Sequence, residues 1–207
     1  MCIFTDEFLA FLELKQDMFY HKIPQERIPY YVHQSLKIGR IYAQNLPNKN
    51  IKQLYKTVDI KIKEEDNDGK FFKIEMRAQF EVDKKGNYIV YVYKSSIDKL
   101  AKANNLSFEK MKNIVLTHEY FHYLEEKMNQ HVFDELESVE TFKLSKLIRT
   151  AKIRRTSEIA ANVFAKEVAN LKYLPSYFDY QYLIKEKKMS LLDIQDDYQE
   201  YLKIFNK

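Results

Sequence analysis

Between Val58 and Tyr93 the apolar residues of this 207-residue chain recur at every second position, and on either side of that block they recur at helical spacing. Val58, Ile60 and Ile62 alternate with charged residues, as do Phe72, Ile74, Met76, Ala78 and Phe80, and Tyr88-Ile89-Val90-Tyr91-Val92-Tyr93 makes a third run. Asn67-Asp68-Gly69 and Lys84-Lys85-Gly86-Asn87 supply turn chemistry between the runs. The pattern predicts a small antiparallel three-stranded sheet, a simple meander. Strands gathered in one block, with no strand–helix alternation, indicate an α+β fold and argue against a doubly wound sheet.

Helical spacing marks residues 4–20 and 29–45, and Ser107 is a cap that opens a helix running to Met128. Further helices are expected over 134–150, 157–171 and 189–205, so about five to six helices pack with the sheet. The length suits one domain, 1–207, with a core over 30–175 and helical extensions at both ends.

Composition narrows the function classes. With 16 Tyr and 14 Phe the chain is too aromatic for disorder. A net charge of +4, left over from 34 basic and 30 acidic side chains, argues against direct nucleic-acid binding, and the one dense cluster, Lys152, Arg154 and Arg155, reads as a solvated helix approach. No stretch approaches the ~20 apolar residues of a membrane span. Asp6, Glu7 and Glu13 interrupt the opening segment where a secretory leader would be apolar, so a cytoplasmic protein is expected. The single cysteine, Cys2, leaves no thiol pair, and any metal site here must use nitrogen and oxygen ligands.

The 107–128 helix contains His118-Glu119-Tyr120-Phe121-His122, an HExxH pattern. Histidines four apart stack on one helical face, so both imidazoles can reach one tetrahedral Zn²⁺. Glu119, one step of ~100° round from His118, borders that face and can reach a water without ligating the ion. With 5 His and 18 Glu in the chain, roughly 0.01 such patterns arise by chance. The competing account makes the histidines a polar stripe satisfied by carboxylates.

A catalytic ion needs a third protein ligand. Glu125 and Glu126 lie one turn further along the same helix, an awkward direction for closing a tetrahedron, and His131 falls beyond the helix end. Glu158 is better placed, since it opens a separate helix whose small Ala160, Ala161 and Ala165 permit close packing on the histidine helix. Asn162 shares the face of Glu158 and is positioned to hydrogen-bond the far nitrogen of a ligating histidine.

At these residues the chain resembles the ImmA/IrrE family of metallopeptidases, in the gluzincin-like branch of the zincin fold. The resemblance rests on the His118–His122 segment and on Glu158-x-x-Ala161-Asn162-x-Phe164-Ala165, and covers residues 30–175. It departs at Phe121, where the family usually has glycine. The resemblance implies His118, His122 and Glu158 as ligands of one zinc ion, Glu119 as general base and Asn162 as their supporting partner. It implies a cytoplasmic protein of bacterial or phage-related origin acting on a protein substrate, some members cutting DNA-binding repressors. The function expected is therefore a zinc-dependent endopeptidase. Oxyanion donors could come from Tyr120, Tyr123 or Tyr173, and Tyr88–Tyr93 is expected to be the edge strand that holds an extended substrate. The alternative, a zincin-fold protein-binding module without activity, draws on Phe121 and the many tyrosines. A deformylase-like hydrolase is weaker, since the segments of that pattern are absent.

Overall fold

A computed structural model of the chain describes residues 3–71, 74–145 and 147–206. Cys2 and Phe72, both used in the reading above, lie outside the described residues.

The fold is α+β, with nine α-helices among the described residues. Helix α1 (Asp6–Leu14) starts at Thr5, whose hydroxyl accepts from the Phe8 N–H, and buries every residue from Phe8 to Leu14. Helix α2 (Ile28–Gln44) carries Pro29 in its first turn, where a missing N–H leaves no bond unmade. A short α3 (Ile51–Thr57) leads into the sheet region, capped by Asn50.

The sheet corrects the expected meander. Strand β1 (Ile60–Glu65) is followed by a small antiparallel pair, β2 (Lys70–Phe71) with β3 (Ile74–Glu75), and only then by β4 (Ala78–Val82) and β5 (Tyr88–Tyr93). The order in space is β1-β5-β4, with β4 antiparallel and β1 parallel to β5, so the sheet is mixed. Apolar content explains the order. β5 buries Ile89, Val90 and Val92 and takes the centre, while β1, with charges at alternate positions and Ile62 exposed, is left at an edge. The run expected as one strand from Phe72 to Phe80 is divided between β3 and β4.

After α4 (Lys94–Ala103), helix α5 (Phe108–Met128) runs with the expected boundaries, capped by Ser107 and closed by Asn129 in the left-handed conformation. The helix expected over 134–150 is replaced by a short α6 (Val132–Glu135) and an antiparallel hairpin, β6 (Val139–Leu144) with β7 (Leu147–Ala151), turning at Ser145 with φ of 54°. Then come α7 (Arg155–Val168), α8 (Ser176–Lys185) and α9 (Leu191–Phe205). Helices α3, α4 and α8, which the apolar spacing did not mark, account for the excess over the expected number.

Helix α7 is the centre of the core. Ala160, Ala161 and Ala165 are buried in it, and a Cβ built on Gly39 of α2 would lie 2.3 Å from the Ala160 carbonyl oxygen. Against α5 the same helix packs Phe164 on Phe121, ring centroids 5.4 Å apart. Close approach of α2 and α7 thus depends on small residues, and the α5–α7 contact depends on aromatic ones. No helix among the described residues is long and apolar enough to cross a membrane.

Candidate metal centre

Helix α5 holds His118 and His122 one turn apart with ring centroids 5.0 Å apart, and their Nε2 atoms are separated by 3.2 Å. Helix α7 delivers Glu158 from a different direction. Its N-terminus is tied down by Asp17, from the segment after α1, whose carboxylate accepts from the Arg155 N–H at 3.0 Å. With that end fixed, Glu158 Oε2 lies 3.2 Å from His118 Nε2 and Oε1 lies 3.6 Å from His122 Nε2. Three potential ligand atoms from two helices therefore face one small volume, and the group His118, His122 and Glu158 could hold a metal ion.

Charge is finely divided here. Burial pushes the Glu158 carboxyl up, but the two imidazoles beside it outweigh burial and hold it well below the usual carboxylate range. Burial lowers His122, yet Glu158 and Glu125 reverse this and raise it well above an ordinary histidine. The Glu158 carboxylate and the His122 imidazole thus stabilise each other's charged forms, and a divalent cation would take the place of the proton between them.

Glu119 is buried beside the histidines and reaches toward the backbone of Phe80 in β4. Burial raises its carboxyl, against the pull of His118 and His122. A carboxylate raised by desolvation is a readier proton acceptor than a fully solvated one.

The group opens on a cavity of about 700 Å³ whose walls include His118, Glu119, Glu158 and Asn162. Helices α1, α8 and α9 also contribute to it, through Glu13 of α1, Asp179 and Tyr180 of α8 and Asp197 of α9. Ion pairs border it, among them Arg155 Nη1 to Glu13 Oε1 at 2.8 Å, Arg77 to Asp179 at 3.1 Å and Lys15 to Asp197 at 2.6 Å.

All four residues singled out for the ion and its base, His118, Glu119, His122 and Glu158, are brought together. Asn162 is buried and lines the same cavity, but the described residues include no hydrogen bond between it and either histidine. The far nitrogen of His122 instead meets Glu125, at 3.0 Å. Spacing could have found this contact, because a residue three positions on shares the helix face.

Other expectations change. β5, Tyr88–Tyr93, has a strand on each side, so both its edges are occupied and it cannot receive a substrate strand; β4 is the edge strand beside α5. Tyr120 and Tyr123 are in the core, Tyr120 against Tyr55, and Tyr123 against Tyr88. Tyr173 stacks on Tyr177, while Tyr180 lines the cavity. The basic cluster is not merely solvated: Lys152 donates to the carbonyls of Asp134 and Leu136, Arg154 lies over the Phe133 ring and Arg155 pairs with Glu13.

Fold and site together define an α+β protein with a two-histidine, one-carboxylate group able to hold a metal. No protein-family model matches the chain, and no curated protein or solved structure is significantly similar to it.

Proposed function

We propose that this chain is a zinc-dependent endopeptidase of the zincin type, acting on a cytoplasmic protein or peptide substrate. The observation that carries the reading is the spacing of the three ligand atoms. At zinc bond lengths of about 2.0–2.1 Å, neighbouring corners of a tetrahedron are about 3.3 Å apart. Here the two histidine Nε2 atoms are 3.2 Å apart, one Glu158 oxygen is 3.2 Å from His118 Nε2 and its other oxygen is 3.6 Å from His122 Nε2, so one atom from each residue lies within 4.8 Å of the others, and Glu119 stands beside the group without belonging to it. A purely structural ion closes its coordination with a fourth protein ligand and needs no adjacent base.

When bound, zinc would acidify a water and polarise the scissile carbonyl. His118, His122 and Glu158 would hold the ion in place. Glu119 takes a proton from the attacking water on its carboxylate oxygen and passes it to the leaving amine nitrogen. Burial of Glu119 keeps that carboxylate from being fully solvated, which favours its role as a proton carrier. β4 is an edge strand next to α5, and its backbone groups not paired with β5 would be the ones to meet an extended substrate. The resemblance to ImmA/IrrE metallopeptidases adds a regulator or repressor as a candidate substrate. Phe121, the residue that favours a scaffold without activity, is fully buried on Tyr42 and Phe164 and is absent from the cavity wall, which weakens that alternative.

The test is cleavage of a proteome-derived peptide library by zinc-loaded wild type and by Glu119→Gln. Wild type is expected to cut, and the variant to keep one zinc while its rate falls by about 10²–10⁴. Equal cleavage by both proteins, or a wild type that retains no zinc, would overturn the reading.

A further inference from the structure

We infer that Glu125 is a positioning residue for the metal centre: it holds the proton of His122 on Nδ1 and so leaves Nε2 free to ligate. The inference rests on the peptidase reading above and adds to it a residue outside the HExxH pattern.

Glu125 is almost completely buried, at 2% exposure, which is unusual for a carboxylate on a long helix. Each of its oxygens has a defined partner. Oε2 accepts from His122 Nδ1 at 3.0 Å, and Oε1 accepts from the Val132 N–H at 2.9 Å and from the Ser157 hydroxyl at 2.7 Å. An ionised carboxylate only accepts, so the imidazole proton facing it belongs on Nδ1. In the neutral ring that ligates an ion the lone pair then lies on Nε2, the atom that faces His118 Nε2 and Glu158. A carboxylate on the far nitrogen also makes the imidazole more basic and a stronger ligand.

The second oxygen extends the effect to the other ligand helix. Ser157 is the neighbour of Glu158, so the hydroxyl bond to Glu125 joins α7 to α5 next to the third ligand. Val132, at the start of α6, anchors the same carboxylate from a third element. A single buried group thus sets a ring orientation and links the two helices whose spacing determines the site.

Glutamine is the informative substitution because it keeps the shape. With its oxygen toward Val132 and Ser157, its NH₂ would donate to His122 Nδ1 and drive the ring proton to Nε2, where it blocks ligation. With its oxygen toward His122, its NH₂ would face the Val132 N–H, donor against donor. Neither arrangement reproduces the carboxylate.

The experiment measures zinc Kd by competition with a chromophoric chelator for wild type and Glu125→Gln, together with thermal melting of both without metal. A ¹⁵N histidine NMR spectrum of zinc-loaded wild type accompanies it. Expected are a 10–100-fold weaker Kd in the folded variant, and in wild type a His122 protonated on Nδ1 with zinc on Nε2. A variant whose melting falls but whose zinc affinity is within twofold of wild type would overturn the assignment and leave Glu125 a packing residue. Zinc on Nδ1 of His122 would overturn it too, and that measurement needs no variant, so it decides the matter if Glu125→Gln does not fold. A wild type that binds no zinc would instead remove the peptidase reading and this assignment with it.

Discussion

Phe121 sits inside the HExxH segment yet belongs to the core, not the site. Its ring is fully buried, 5.1 Å from Tyr42 and 5.4 Å from Phe164, and does not line the cavity. A large ring between two ligand-bearing helices sets how far apart they stand, so the residue acts on the site through packing. Truncation to alanine leaves a cavity among Tyr42, Phe164 and α7, with a loss of about 3–5 kcal/mol. Chemical denaturation of metal-free Phe121→Ala is expected to show that loss. A change below about 1 kcal/mol would mean the core closes over the gap. Glu125 illustrates the complementary case, a polar residue in the core whose importance lies in what it touches.

Among the elements, the α2–α7 pair is the tightest contact and the most sensitive to size. Gly39 lies where a Cβ would be 2.3 Å from the Ala160 carbonyl oxygen and 2.4 Å from Val163 Cγ1. Neither backbone nor a buried β-branched side chain can move aside cheaply, so α2 must shift away from α7 or tilt. Gly39→Ala is therefore expected to destabilise by about 1–3 kcal/mol, even though alanine is the better helix former. Equilibrium unfolding measures it, and a stabilised variant would show that the helices separate more easily than this packing implies. The β6–β7 hairpin is the opposite extreme. It exposes Phe142, Leu144, Leu147 and Ile148, and cross-strand pairing rather than burial holds it.

At the scale of the whole molecule the chain ends are structural walls of the site. Phe8 and Phe11 of α1 pack on Tyr201 of α9, Lys15 pairs with Asp197 and Glu200, and α1 carries Glu13 to the cavity opposite Arg155. Burial, with Glu158 adding to it, pushes the Glu13 carboxyl up to about 7 against the pull of Arg155 and His118. Its folded value therefore lies above the unfolded value of 4.5, so the folded chain holds an extra proton between the two. The protein loses stability as pH rises through that window, by an amount on the order of 3 kcal/mol for a shift of this size. Melting in chelator from pH 5 to pH 8 should fall by several degrees in wild type relative to Glu13→Gln. Parallel curves would show that Glu13 ionises freely.

The local parts of this protein were determined by sequence alone. Ser107 and the apolar spacing define α5, and histidines four apart on any helix share a face, so the His118–His122 pair needs no tertiary information. The α+β class followed from the change of period at Val58. Non-local choices were decided only by the folded chain. The hairpin at 139–151 has apolar residues at Val139, Phe142, Leu144, Leu147 and Ile148, a spacing that suits a helix as well as two strands, and pairing between strands resolved it. β1 lies beside β5 and not beside its chain neighbour β4 because the most apolar strand takes the middle, whatever the order along the chain. Glu158 was legible as a candidate but meets His118 across 40 residues, and its helix is anchored by Asp17 across 138. Periodicity reports a residue's neighbours within one element, whereas the partner of a buried carboxylate depends on how elements close around it, and that closure is a property of the whole chain.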